Sequence, residues 1–267
     1  ALVPDVAGEV AAGLGRTNLM PVTSIRENLR AIKRRLPTNI SRLNDLNQIV
    51  TPNQMIESHL LQQGVSKAKI TRAAYGIDLK FSLTTQPKIR TETLRIGFIG
   101  TLAPHKGCHT LIDAFNALDN NLATLKVYGS ELDFPGYVKK LRCKSKGNPS
   151  VTFNGTFPNS DISRVFDELD VLIVPSTWPE NTPLIVYSAQ AARCPVVASN
   201  VPGIAEAIRP GVDGLLFEKG NHHDLALCLQ RLISEPDLVE QLSANTVPPR
   251  STSDYVNNLL RIWNKEI

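Results

Sequence analysis

Two charged side chains stand where this chain could act on an anion. Glu180 lies in the turn WPENTP, and after Asn181 the chain passes through Thr182 and Pro183 into the apolar segment LIVYSAQAA. Thr182 is expected as an N-cap and Pro183 at the first helical position, where a missing N–H costs nothing. The N–H groups from Leu184 onward would then point out of a helix end beside a carboxylate, and such an end attracts anions, phosphate above all. Lys106, in TLAPHKG, falls just before or within the first turn of a helix read over CHTLIDAFNAL. A cation is disfavoured there unless an anion is also present, and a phosphate would reconcile the two. Each feature also has a plain reading, an ordinary capped helix and a lysine facing solvent, so the surroundings must decide. His105 is read as an inert loop histidine.

The elements that must position these residues are legible as apolar runs. Strands are expected at Leu94 to Gly100, Thr124 to Gly129, Val151 to Gly155, Val171 to Pro175, Pro195 to Ser199 and Gly214 to Phe217, with segments between them mostly long enough for helices. Six strands alternating with helices imply an α/β fold, a doubly wound, Rossmann-like parallel sheet with helices on both faces. Ligands in such a sheet sit at the carboxyl ends of the strands, near the point where strand order reverses. Five strand ends carry small or polar loops on that rim. They include Gly100-Thr101, Gly129, Gly155-Thr156 and the loop delivering Glu180; Gly129 would let a ligand approach backbone closely, and plain turn chemistry is the other reading of these glycines. The chain closes with helices at about His222 to Ser234, Pro236 to Asn245 and Ser253 to Lys265, the last with an apolar face of Leu259, Leu260, Ile262 and Trp263.

The 267 residues, 42% of them hydrophobic, can bury a large core, and no apolar run reaches the ~18 residues that span a bilayer. ALVPDVAGEV lacks the basic start and continuous apolar segment of a signal peptide, so a cytoplasmic location is expected. Cys108, Cys143, Cys194 and Cys228 show no C-x-x-C spacing, which argues for mostly buried, reduced thiols and against zinc or a disulfide frame. The net charge of +4 suits an anionic ligand or membrane surface, but is common in proteins with neither.

The first 80 residues hold less. An amphipathic helix is read over Ile25 to Leu36, with Ile25, Leu29, Ile32 and Leu36 on one face and Arg26, Arg30, Lys33 and Arg34 largely on the others. It is either a peripheral membrane-surface helix or, the favoured reading, a core-packed helix with a solvated basic face. Strands near Gln48 to Thr51 and Lys69 to Tyr75 flank a helix that begins near Pro52 and stops at Gly64. Two strands and two helices read as the tail end of a doubly wound domain whose beginning is expected to be absent. The expected organisation is therefore a partial domain at 1–80, a ligand-binding domain at 81–250 and a helix at 251–267 packing back towards the first.

From about Gln48 onward the chain resembles the nucleotide-sugar-dependent retaining glycosyltransferases of the large group 1 family (family 4), built from two Rossmann-like domains. The resemblance rests on TPNQMIESHLLQQGV and YGID at the domain junction, then IGFIGTLAPHKG, VTFNGTF, LDVLIVPSTWPENTPL, AARCPVVASNVPGIAEAI and GVDGLLF, in that order. It implies a second domain that binds a nucleoside diphosphate sugar as co-substrate and a first, acceptor-side domain for a carbohydrate or lipid-linked acceptor, with no nucleic acid as partner. It places Lys106 and the Gly100-Thr101 backbone on the diphosphate, Glu180 on hydroxyls of the transferred sugar, the N–H groups near Asn181, Thr182, Pro183 and Leu184 on sugar and phosphate, and the Gly129 and Gly155-Thr156 strand ends around the nucleotide. No metal is implied, because a lysine and oriented N–H groups meet the charge that grows on the leaving diphosphate.

Three features depart from the family pattern. Thr101 stands where many members have arginine. Ser188 stands where the second acid of the Glu-x7-Glu signature grips the ribose, and losing a charged hydrogen bond of roughly 1.5 to 3 kcal/mol weakens binding about tenfold to a hundredfold. By the resemblance, most of the first domain, with its acceptor site and a histidine on the far wall of the cleft, is expected to be missing. The leading expectation is a hexosyltransferase with Glu180 and Lys106 as its principal side chains. The alternatives are a non-catalytic nucleotide-binding module or inactive fragment and, less favoured, a sugar-nucleotide epimerase of similar shape.

Overall fold

The structure is a computed structural model that describes residues 22–79, 86–89, 92–118, 121–181, 183–235 and 237–264, without the side chains of 22–29, 31 and 32. It forms two compact units, Ala1–Ile49 with Ser58–Thr71, and Val50–Glu57 with Arg72–Ile267.

The smaller unit is built on α1 (Val22–Asp45), which runs well past both expected ends and carries Pro37 inside it. Ile25, Leu29, Ile32 and Arg26 lie outside the described side chains, and Leu36 is half exposed. The helix end is tied down by polar contacts. Asn44 donates to the Gly64 carbonyl (3.0 Å) and accepts from the Ser66 N–H (2.9 Å), and Lys69 Nζ donates to the Leu46 carbonyl (2.8 Å). β1 (Ile49–Thr51) and β2 (Ile70–Arg72) form a two-stranded sheet, and α2 (Gln54–Gln62) lies between them in sequence, stopping before Gly64 as expected.

The larger unit holds a six-stranded parallel sheet: β3 (Leu94–Ile99), β4 (Ala123–Tyr128), β5 (Val151–Gly155), β6 (Val171–Val174), β7 (Val196–Ser199) and β8 (Gly214–Phe217). Their order is β5-β4-β3-β6-β7-β8, with all pairs parallel. The sheet grows outward from β3 in one direction, then restarts on its other side with β6. This is the Rossmann-like order, and its switch point lies between β3 and β6.

Period-2 alternation sends successive side chains to opposite faces, each covered by helices. Leu94, Ile96 and Phe98 of β3, with Val171 and Ile173 of β6, join the core under α3 (Cys108–Phe115), α4 (Pro135–Lys144), α7 (His222–Ser234) and α8 (Leu238–Ala244). Leu172 of β6, with Val196 and Ala198 of β7, joins the opposite core under α5 (Ile162–Asp167) and α6 (Leu184–Ala191). Both faces are dry, which is why the strands read as continuous apolar runs. At the amino ends of β3 and β6, fully buried Asp170 accepts from the Arg95 N–H (2.8 Å), Nε (3.1 Å) and Nη2 (2.6 Å). That charged hydrogen bond, above all, raises the Arg95 pKa and locks the central pair in register.

The last helix, α9 (Thr252–Asn264), buries none of its residues, and Trp263 is largely exposed. Its start is held by the Ile77 N–H donating to the Arg250 carbonyl (3.0 Å), the Thr252 N–H to the Ile77 carbonyl (3.0 Å), and an edge-on Tyr75–Tyr255 contact. Cys108, Cys194 and Cys228 are buried and Cys143 is exposed, all as free thiols. Among the described residues no helix is long and apolar enough to cross a membrane.

Candidate functional site

The loops after β3 and β6 are the two that flank the switch point, and they carry Lys106 and Glu180. After β3 the chain makes a short 3-10 turn, Pro104–Lys106, and reverses at Gly107, whose φ of +73° is left-handed. A Cβ at Gly107 would lie 1.8 Å from the Pro175 carbonyl oxygen, so only glycine lets this turn rest on the end of β6. Lys106 therefore stands just before α3, as expected, and leans over the neighbouring strand end.

Lys106 Nζ lies 2.6 Å from Glu180 Oε1, with the two side chains 31% and 19% exposed. The fully buried Ser176 is within hydrogen-bonding reach of the same Oε1 (3.0 Å) and of the His105 and Trp178 carbonyls (3.1 and 3.2 Å). The Thr177 N–H also donates to the His105 carbonyl (2.8 Å). His105 thus serves through its backbone. Ser176 is a site residue that the sequence reading passed over, although it stands at a strand end four residues before Glu180.

A second glycine fixes Glu180 from behind. Gly203 has φ of +83°, and a Cβ there would lie 1.7 Å from the Glu180 carbonyl oxygen. The Glu180 N–H donates to the Pro202 carbonyl (3.2 Å), and Asn53 Nδ2 donates to the Asn181 carbonyl. Asn53 also caps α2 by accepting from the Ile56 N–H (2.9 Å), a role its place before QMIESHL signals.

α6 begins one residue later than expected. Pro183 is its N-cap, with φ −80° and ψ 78°, rather than its first helical residue, because a ψ near 78° lies outside the helical region. Its carbonyl accepts from the Val186 and Tyr187 N–H groups (2.8 and 3.3 Å), and no described residue accepts from the Leu184 or Ile185 N–H. Thr182 lies outside the described residues.

Two cavities occupy this rim. One, of about 260 Å³, is lined by Gly100, Thr101, Lys106, Ser176, Glu180, Pro183 and Leu184 among others. The other, of about 430 Å³, is lined by Thr101, Tyr128, Gly129, Gly155, Thr156, Phe157 and neighbouring residues. Ile99, Gly100, Thr101 and Ile185 line both, so the two are contiguous. Tyr128 and Phe157 meet edge to face at 5.4 Å and give the larger cavity an aromatic wall that the sequence reading did not single out. Burial pushes the Tyr128 phenol up to about 12, so it stays neutral.

Two expected members sit elsewhere. Ser188, half-buried, turns its hydroxyl back to donate to the Leu184 carbonyl (3.2 Å) and lines neither cavity. Asn181 lines a different cavity from these two. Gly129 lines the larger cavity, but a Cβ there would come within 2.2 Å of the Gly100 carbonyl oxygen, so the tight backbone approach it permits is to β3.

The site can therefore present one ammonium, one carboxylate and, at a helix start, N–H groups from which no described residue accepts, in adjoining pockets, one of them with an aromatic wall. Such a set suits a ligand with an anionic centre, hydroxyls and a planar group. Comparison with known proteins gives the same direction. The chain is 30% identical over 192 residues to the D-inositol 3-phosphate glycosyltransferase of Rhodococcus jostii (strain RHA1), covering 69% of this chain and 39% of that protein. It is 30% identical over 205 residues to the amylovoran biosynthesis glycosyltransferase AmsK of Erwinia amylovora, covering 72% and 49%. Against the putative glycosyltransferase YtcC of Bacillus subtilis (strain 168) it is 24% identical over 227 residues, covering 76% and 55%, so the chain spans about half the length of the curated relatives it matches. The fold is shared with Anabaena Alr3699/HepE, solved in complex with UDP-glucose, at TM-score 0.74 and 20% identity over 86% of this chain and 67% of that one. The family model for glycosyl transferases group 1 matches residues 82–247, the whole of the parallel sheet with its helices, and the chain belongs to that family.

Proposed function

We propose that the larger unit binds a nucleoside diphosphate sugar and that the protein transfers its hexosyl group, with retention, to a carbohydrate or lipid-linked acceptor. The observation that carries this reading is the meeting of Lys106 and Glu180 across the switch point, beside the start of α6. In it, Lys106 and the Leu184 and Ile185 N–H groups hold the diphosphate, and Glu180 accepts from sugar hydroxyls. The base lies against Tyr128 and Phe157 near Gly155-Thr156. Charge builds on the diphosphate as the glycosidic bond breaks, and fixed donors at that point lower the barrier without a metal ion. Lys106 exchanges its Glu180 partner for phosphate, which leaves Glu180 free for the sugar. The relatives support a nucleotide-sugar donor: HepE was solved with UDP-glucose, and the family descriptions are of glycosyltransferases. Residues 1–80 are assigned to the acceptor side in this reading.

Ser188 favours a second reading, a module that binds nucleotide without transferring sugar, because a hydroxyl already turned onto its own helix offers no charged grip on ribose. Turnover separates the two. Incubation with UDP-, GDP- and ADP-hexoses should release nucleoside diphosphate, and Glu180→Ala should abolish the release; release at the wild-type rate by Glu180→Ala contradicts the assignment, and binding without any release supports the module.

A further inference from the structure

Pro183 also lines a cavity of about 440 Å³ that neither Lys106 nor Glu180 reaches. Asn53, Arg72, Asn181, Tyr187, Glu206 and Arg250 contribute its polar surface, and all belong to the larger unit. Its size is in the range of small-molecule sites.

The balance of charge in it is positive. Glu206 is the one carboxylate in the lining, and its oxygens accept from the Gln54 N–H (2.7 Å), the Met55 N–H (3.1 Å) and the Gly203 N–H (3.3 Å). Its charge is committed to the start of α2. The two guanidinium groups are not matched in the same way. Arg72 holds only long contacts, 3.7 Å to Glu57 Oε2 and 3.4 Å to Gln54 Oε1, with its side chain half exposed. Arg250 has no carboxylate within ion-pair distance and no acceptor for its guanidinium among the described residues. Tyr187 lies on the same wall, and its hydroxyl likewise meets no described acceptor. Burial, with Glu206 adding to it, raises the Tyr187 pKa, so the phenol remains a donor at neutral pH. An adjoining cavity of about 300 Å³ shares Tyr187, Glu206 and Arg250, while its own Arg209 is committed to Asp213 at 2.7 Å. The donors left over are Arg250 and Tyr187, which line both cavities, and Arg72, which lines the first.

We propose that Arg250, with Tyr187 and Arg72, binds a phosphate or carboxylate group carried by a small molecule, at a site separate from the Lys106–Glu180 cavity. A guanidinium matches two oxygens of such a group with parallel N–H donors, and the phenol supplies a third. The site does not depend on what the first cavity binds, since the two sets of charged side chains do not overlap. If the first cavity holds a sugar donor, the shared wall at Pro183 puts this anion beside the loop that carries Glu180, where a charged acceptor or its product would be held.

Calorimetric titration of the chain with inorganic phosphate, glucose 6-phosphate and glucuronate tests this, with Arg250→Ala, Tyr187→Phe and Lys106→Ala alongside. At least one probe should bind, with affinity about tenfold or more weaker in Arg250→Ala and severalfold weaker in Tyr187→Phe, but unchanged in Lys106→Ala. Equal binding of all three probes means that the oxyanion alone is read, and tighter glucose 6-phosphate means that the sugar is read as well. The proposal is overturned if none of the probes binds, if Arg250→Ala and Tyr187→Phe bind as wild type, or if binding is lost in Lys106→Ala instead. Among the described residues the hydrogen bond that ties Arg250 to the fold is made by its carbonyl, from the Ile77 N–H (3.0 Å), and Arg250→Ala keeps it; Tyr187→Phe keeps the ring.

Discussion

Lys106 and Glu180 lie 74 residues apart in the chain and 2.6 Å apart in the structure. They meet because β3 and β6 are neighbours at the switch point, and because Gly107 lets the first loop rest on the strand end that launches the second. Topology places the pair, and one backbone conformation aims it.

Ser188 is the position at which a single change should add function. Ser188→Glu introduces a carboxylate one turn into α6, on the side that carries Leu184, where it can accept from ribose hydroxyls. Donor affinity is expected to rise about tenfold, the gain of roughly one charged hydrogen bond. Calorimetry with the preferred nucleotide measures this, and unchanged affinity means that ribose is held elsewhere.

Gly203 supports Glu180 from outside the cavity that holds Lys106. Gly203→Ala forces a Cβ onto the Glu180 carbonyl and a left-handed φ on a residue that disfavours it, at a cost of about 1–2 kcal/mol from the dihedral alone. The melting temperature should fall by roughly 2 to 8 °C, and nucleotide release should fall with it as Glu180 is displaced. A variant with wild-type melting and turnover would show that the loop can move aside.

His109 should leave a mark on stability in mild acid. Its Nδ1 lies 2.8 Å from the Tyr137 hydroxyl, and burial lowers its pKa below the ordinary 6.5, an effect that Asp113 opposes and Lys144 reinforces. The folded state then binds the proton less readily than the unfolded chain. The corresponding stability is present above about pH 6.5 and is lost as pH falls through the folded pKa. Urea unfolding at pH 7.5 and pH 5 should show a smaller drop for His109→Gln than for wild type, and equal drops assign the acid sensitivity to other groups.

The sheet was readable because both its faces are covered. β5 and β8 have the limits that their apolar runs give, and β3 ends one residue earlier than expected. That Lys106 and Glu180 share one rim followed from placing both on loops at the carboxyl ends of strands in one parallel sheet. Other features carried no such signal. The N-cap at Pro183 depends on one ψ angle, which residue type does not set. Ser176 is one serine among many until the fold puts it against Glu180. The inward turn of the Ser188 hydroxyl is a rotamer, and the contact between Gly129 and Gly100 is a matter of two strands, not of one. Arg250 was invisible because its surroundings come from segments near residues 53, 72, 187 and 206.

The cavity holding Lys106 and Glu180 is proposed to take a nucleoside diphosphate sugar. Calorimetric titration of the chain and of Lys106→Ala with UDP, GDP, ADP and their hexose conjugates tests it most directly. At least one of these ligands should bind, and Lys106→Ala should weaken it about tenfold to a hundredfold, the worth of one charged hydrogen bond to the diphosphate. Binding of none of them, or equal affinity in wild type and Lys106→Ala, would contradict the account.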